Sequence, residues 1–208
     1  MKKPLVWYSM ANIGPYALLP PVAVGLLLPG GLLLVRTGTS PQLAEVYIDF
    51  VMRLLAPAIA VWWPSFVFKE RLEGDGRELL YFLKRHGEAV TALALALYYW
   101  ILLVPFVLVA LGAPGFSVES VPPLLARCLF MTTFAFCASF VLHSSALALI
   151  IALLFNMIGM MPFEGLIQTF MSTGTIDTGT SVSTILPYAA LSTMLLLFGE
   201  VRSRHFAG

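Results

Sequence analysis

Charge is what this sequence has least of, with 12 basic and 11 acidic side chains among 208 residues, or 11%. An ordinary soluble domain carries roughly 25%. The shortage excludes a soluble globular domain, because a chain of this length that is 59% apolar cannot hide so much apolar surface from water. A net charge of +1, without any basic patch interleaved with aromatics, excludes a nucleic-acid partner. Cysteine is nearly absent as well. Cys128 and Cys137 stand nine residues apart within one apolar run, on different faces of a helix, which excludes a disulfide or a zinc site between them. Several catalytic signatures are missing: G-x-x-x-x-G-K-[ST], H-E-x-x-H and G-x-S-x-G do not occur. The three histidines, His86, His143 and His205, are scattered. No metal site and no ATP-binding loop are expected in this chain.

What remains is long apolar runs. About 20 apolar residues cross the hydrocarbon as a helix, since lipid supplies no hydrogen bonds to an open backbone. Six stretches qualify, at about 15–35, 46–68, 88–111, 124–143, 145–162 and 184–200. The first follows Met1-Lys2-Lys3 but is longer than a secretory core, and no A-x-A site follows it; the reading is a retained span. Pro15, Pro20, Pro21 and Pro29 predict that it is kinked. His143-Ser144-Ser145 leaves room only for a tight hairpin between the fourth and fifth spans. Trp7, Tyr8, Trp62, Trp63 and Tyr98 to Trp100 include candidate interface anchors. The expected fold is therefore all-α, a single polytopic membrane domain over 1–208.

Lys and Arg set its orientation. With the N-terminus inside, Lys2, Lys3, Lys69, Arg71, Arg77, Lys84, Arg85, Arg202 and Arg204 are cytoplasmic, against only Arg36, Arg53 and Arg127 on the other side. Both termini are expected in the cytoplasm.

Nine of the 23 charges crowd into one connection, residues 69–87 (KERLEGDGRELLYFLKRHG). Asp75 and Glu78 have the spacing of a capping box, Gly74 and Gly76 permit a sharp entry, and Gly87 can end the helix. Residues 77–85 carry Leu79, Leu80, Phe82 and Leu83 between charged ends, which predicts a short amphipathic helix at the cytoplasmic surface. Two readings stand: a solvated loop that obeys the charge rule, or a docking surface. Four acids beside five bases suit docking, because orientation alone requires no acids.

This pattern resembles the ABC-2 family of ABC transporter permeases. Six spans, a short N-terminal segment, and Glu70 followed by Gly74 or Gly76 and then Glu78-Leu79-Leu80 carry the likeness; the proline that often follows in that family is replaced by Lys84-Arg85-His86-Gly87. Length and compactness also resemble haem-exporter permeases. The resemblance implies that 69–87 is a coupling helix seated in a cytosolic ABC ATPase, with Glu70, Gly74, Asp75, Gly76, Glu78, Leu79, Leu80, Phe82 and Leu83 at the joint. It implies a second permease copy, identical or similar, and ATP and Mg bound by the ATPase rather than by this chain. The expected function is export of a hydrophobic or amphipathic substrate across the cytoplasmic membrane of a prokaryote. The alternative is a non-transporting scaffold that docks a cytosolic partner through 69–87.

Inside the spans, Glu45, Asp49 and Arg53 fall on one helix face. Charge at membrane depth is costly, by roughly 2.5–3.5 kcal/mol per residue on insertion scales. Asp49 and Arg53 are read either as a polar gate or as an interfacial ion pair. Met157, Met160 and Met161 offer soft thioethers to Cu(I) or, more simply, an adaptable apolar lining. Residues 163–183 are rich in Ser and Thr with Leu166, Ile167, Phe170 and Met171 interspersed. The segment is read as an exposed loop or, by the family resemblance, as a re-entrant outer gate.

Overall fold

The computed structural model describes residues 14–38, 41–73, 87–113, 116–158 and 181–207. All regular structure among these residues is helical. α1 (Gly14–Thr37), α2 (Gln42–Lys69), α3 (Glu88–Ala110) and α4 (Val118–Leu142) are long and apolar enough to cross a membrane. α5 (Ser145–Ile158) is apolar but shorter. α6 (Ser181–Ala207) contains the fifth membrane-length stretch, Ile185–Arg204. The chain is a multi-pass, all-α membrane protein. Of the expected span at 145–162, the described part is 14 residues, about 21 Å at 1.5 Å per residue, against a hydrocarbon core of roughly 30 Å; residues 159–162 lie outside the described set.

Leu26, Leu34, Ile101, Leu108, Leu186 and Leu197 are all more than half exposed on the outside of the bundle, as a lipid solvent allows. The interior is packed: Leu32, Phe68, Leu103, Phe106, Phe136 and Phe140 are fully enclosed. α6 approaches α4 closely because Gly199 has no side chain; a Cβ there would stand 2.5 Å from Phe136 Cε1. Small residues admit such contacts between membrane helices. The predicted hairpin is present: α4 ends at Leu142, His143 takes the left-handed conformation at φ 54°, and α5 starts at Ser145.

α1 and α2 are both broken. A π-turn occupies Ala23–Leu27 in α1 and another Val51–Leu55 in α2. Each ends two residues before a proline, Pro29 and Pro57 respectively. Proline has no N–H to give the carbonyl four residues earlier, so Gly25 and Arg53 lose their ordinary partners, and the helix widens at those points. Pro64 does the same to Ala60, beside the turn at Val61.

In lipid, an unanswered carbonyl is expensive, so neighbouring helices answer. Along α2, Asn156 Nδ2 of α5 donates to the Leu54 carbonyl at 2.9 Å, and the Tyr99 hydroxyl of α3 to Ala56 at 2.6 Å. Thr132 Oγ1 of α4 donates to Cys128 of its own helix at 2.9 Å and lies 3.4 Å from the Ala60 carbonyl. In the other direction, Tyr47, Trp62 and Trp63 of α2 donate to the carbonyls of Leu28, Tyr16 and Ala17 in α1. α2 is thus stitched by side chains to α1, α3, α4 and α5.

One aromatic expectation changes. Tyr99 is no interface anchor: it is 1% exposed and sits in the core, held there by its bond to Ala56. Trp62 and Trp63 use their indole N–H groups on the frayed start of α1. Tyr99→Phe keeps the ring and removes only the donor. It is expected to destabilise the protein by about 0.5–2 kcal/mol, read as a lower unfolding midpoint in mixed micelles; an unchanged midpoint would show that the Ala56 carbonyl needs no partner.

Candidate functional site

Two polar arrangements stand out at opposite ends of the bundle. The first surrounds the roots of the charged connection. Glu73, at the end of the helix that closes α2 (Trp62–Glu73), accepts the backbone N–H of Ser145 at 3.0 Å and its hydroxyl at 3.2 Å. A carboxylate there meets the free N–H groups and the positive end of α5. At the other root, Glu200 of α6 accepts the Ala89 N–H at 3.0 Å, so it caps α3 in the same way. Glu200 also pairs with Arg204 at 3.2 Å.

Gly87 begins α3 as its N-cap in an extended conformation, φ −61° and ψ 154°. A Cβ on Gly87 would stand 2.7 Å from Glu200 Oε1. Its position is therefore explained by the start of α3 and the nearness of Glu200. Both roots of 69–87 are fastened to other spans, α2 to α5 and α3 to α6.

Most of the connection itself lies outside the described residues, namely Gly74, Asp75, Gly76, Glu78, Leu79, Leu80, Phe82 and Leu83. Glu70 falls within the helical Trp62–Glu73 segment, its side chain outside the described set. The predicted amphipathic helix and capping box share that status.

The second arrangement lies at the opposite end. Arg53, inside the π-turn of α2, pairs with Asp49 one turn earlier at 2.5 Å. The pair is half-exposed. Arg127 of α4 is 6% exposed, and its Nη2 has no hydrogen-bond partner among the described residues. Tyr188 of α6, together with Arg53 and Asp49, lies close enough to act on it electrostatically. Asn156, buried on α5, spends its amide N–H on Leu54, the residue after Arg53, and leaves Oδ1 without a partner among the described residues. Ser192, one turn from Tyr188, has an unpartnered Oγ on the same terms.

Aromatic rings fix the level of these groups. Phe130, one turn from Arg127, packs 5.7 Å from Tyr188 and 5.9 Å from Phe155, and Phe155 adjoins Asn156. These rings tie α4, α5 and α6 together, and the Asn156–Leu54 bond joins α2 to them. Sequence reading named Asp49 and Arg53 but counted Arg127 only as a flanking charge, and it passed over Asn156, Tyr188 and Ser192. A charged residue six positions inside an apolar run was the available signal.

Met157 is 55% exposed on the outer side of α5, away from the polar cluster. Met160, Met161, Phe170 and the rest of 163–180 lie outside the described residues, while 181–183 of the expected outer segment begin α6. Cys128 and Cys137 are free and buried. No three His, Cys, Asp or Glu side chains converge among the described residues. The chain matches no family model, no curated protein and no solved structure.

The caps at the charged roots make separable claims. Glu200→Ala removes the cap of α3 and is expected to cost about 1–2 kcal/mol. Arg204→Ala removes only an exposed pair and is expected to cost less than about 0.5 kcal/mol. Thermal unfolding of the two variants checks this; equal losses would mean that the Arg204 pair, and not the cap, carries the effect.

Proposed function

We propose that this chain is the membrane-spanning permease subunit of an ABC transporter of the ABC-2 type. It would work as an exporter powered by a separate cytosolic ATPase. One observation carries the reading. The densest charge in the sequence joins α2 to α3, and both roots of that connection are bolted to distant spans, through Glu73 to α5 and through Glu200 to α3 and α6. A docking handle needs such roots, because a force applied to a loosely tethered loop dissipates in the loop. A solvated loop has no use for them.

In this proposal six spans cross the cytoplasmic membrane of a prokaryote with both termini inside, and a second permease copy completes the path. Residues 77–85 form a coupling helix that seats in the ATPase, and the ATPase supplies the ATP and Mg sites that this sequence lacks. Nucleotide-driven closure of the ATPases moves the roots at Glu73 and Gly87 together. The caps carry that motion to α5 and α6, and the π-turn at Val51–Leu55 lets the two halves of α2 tilt separately. The opposite polar cluster, where Asp49, Arg53 and Arg127 lie, then changes its access.

Co-purification with a nucleotide-hydrolysing partner, followed by the variants Glu70→Ala and Leu80→Asp, tests the reading. Each is expected to bring permease-stimulated ATP hydrolysis down to the rate of the ATPase alone. Full stimulation in both variants would overturn the coupling helix. A partner that binds through 69–87 without any change in hydrolysis or transport would make the chain a scaffold instead.

A further inference from the structure

Asp49 and Arg53 form a charged pair on the outer surface of α2. Arg53 keeps 36% of its side chain exposed and Asp49 56%, and Glu45, one turn before Asp49, is exposed as well. Their depth follows from α3, a membrane-length helix of 23 residues with Tyr99 in its middle. The Tyr99 hydroxyl bonds the Ala56 carbonyl, so Ala56 lies near the middle of the span. At 1.5 Å per residue, Arg53 stands about 5 Å and Asp49 about 10 Å from that level. The hydrocarbon extends roughly 15 Å to either side of it. Both charges therefore lie at hydrocarbon depth, whichever end of the bundle faces the cytoplasm.

A charged side chain at such depth costs roughly 2.5–3.5 kcal/mol. Snorkelling does not lift this pair out. Arg53 already reaches one turn outward to Asp49, and Asp49 is itself inside the hydrocarbon. Nor is the pair saturated. One bond joins it, from Nε of Arg53 to Oδ1 of Asp49, and neither side chain bonds any other described residue. The guanidinium fork and Oδ2 of Asp49 are thus open to a partner that brings both an acid and a base. Val46 and Phe50 are exposed on the neighbouring strip of the helix. Lipid tails answer the strip and leave the charges unmet.

A second copy of this chain answers both. We infer that this face of α2 is where two copies meet, Arg53 of each donating to Asp49 of the other. Two copies insert in the same direction, since the same Lys and Arg orient them. A two-fold axis along the membrane normal then sets the two α2 helices side by side and parallel. Pairs one turn long face each other at one depth, and four charges close a ring in which each carboxylate meets two guanidinium groups. Val46 and Phe50 pack beside the ring against their counterparts. Glu45 stands a further turn outward, at the hydrocarbon edge, where water screens it. The inference places the second copy of the permease proposed above and rests on that reading for its part in transport. The pairing itself belongs to the chain alone.

Pairing needs no ATPase, so its failure leaves the coupling helix standing, and failure of coupling leaves the pairing standing. Full chains carrying a donor or an acceptor fluorophore at the C-terminus are reconstituted together in phosphatidylcholine vesicles and diluted with lipid. Energy transfer is expected to report a dimer in the unaltered chain. Asp49→Lys and Arg53→Glu should each weaken dimerisation at least about tenfold, the size of close charge pairs across an interface. Mixing the two variants should restore it, because a chain with two bases then meets a chain with two acids. Damage within one chain would not be mended by mixing.

A monomeric unaltered chain would overturn the interface, whether lipid headgroups or another protein then meet the charges. Full dimerisation of both single variants would overturn it too, as would a mixture that stays apart. A second measurement leaves the charges intact. Val46→Cys, on this face, should join two chains through a short bis-maleimide. Leu108→Cys, as exposed on α3 and at a similar depth, should not, and the native Cys128 and Cys137 are buried. No cross-link at Val46, or an equal one at Leu108, would overturn the α2 face even where a charge variant does not fold.

Discussion

A backbone carbonyl in hydrocarbon must be answered from within the protein, and the rest of this structure follows from how α2 meets that demand. Pro57 and Pro64 withdraw the N–H groups that Arg53 and Ala60 would otherwise use. Water cannot replace them at that depth. Beside these breaks Asn156 and Tyr99 donate to the carbonyls of Leu54 and Ala56, and Thr132, bonded first to Cys128 of its own helix, lies 3.4 Å from the Ala60 carbonyl, each from a different helix. These bonds set how α3, α4 and α5 rotate and slide against α2. The prolines that break the helix thereby fix the assembly around it.

The same economy serves both ends. At the charged end, helix N-termini that would be left bare are capped by glutamates from elsewhere in the chain, Glu73 on α5 and Glu200 on α3. A carboxylate on a helix N-terminus satisfies donors and the helix dipole at once, which is why two carboxylates suffice to hold roots that are 72 and 111 residues from their partners. At the other end the helix answers are incomplete: Arg127, Asn156 and Ser192 keep open groups. One end is tied by carboxylate caps, and the other buries polar atoms that have no partner among the described residues.

Much of this was legible in the sequence. Apolar runs gave the membrane class and five of the six expected spans, because length and composition alone decide whether a helix can cross lipid. The hairpin at His143 was legible for the same reason, there being no residues to spare between two runs. Prolines at 29, 57 and 64 were equally visible, yet where each break would fall and which side chain would mend it were not. Those answers depend on which helices become neighbours. Glu73 looked like one more charge in a mixed-charge connection, and only the fold puts it on Ser145. Tyr99 belonged to a group of candidate anchors nearer mid-span, and only the fold gives its hydroxyl a buried acceptor at Ala56. Arg127 was hidden by counting: a tally of positive charge by side treats a buried arginine as a topological mark, when its depth makes it a chemical one.

The break in α2 is the element on which the proposed motion depends. Spin labels at Leu43 and Lys69, exposed near the two ends of that helix, report its bend directly by double electron–electron resonance. In complex with the ATPase that the proposal requires, the protein should show a shift in the distance between them when nucleotide is trapped. In Pro57→Ala, where Arg53 regains its partner, that shift should vanish. The same shift in both proteins, or none in either, would contradict an α2 that hinges at its π-turn.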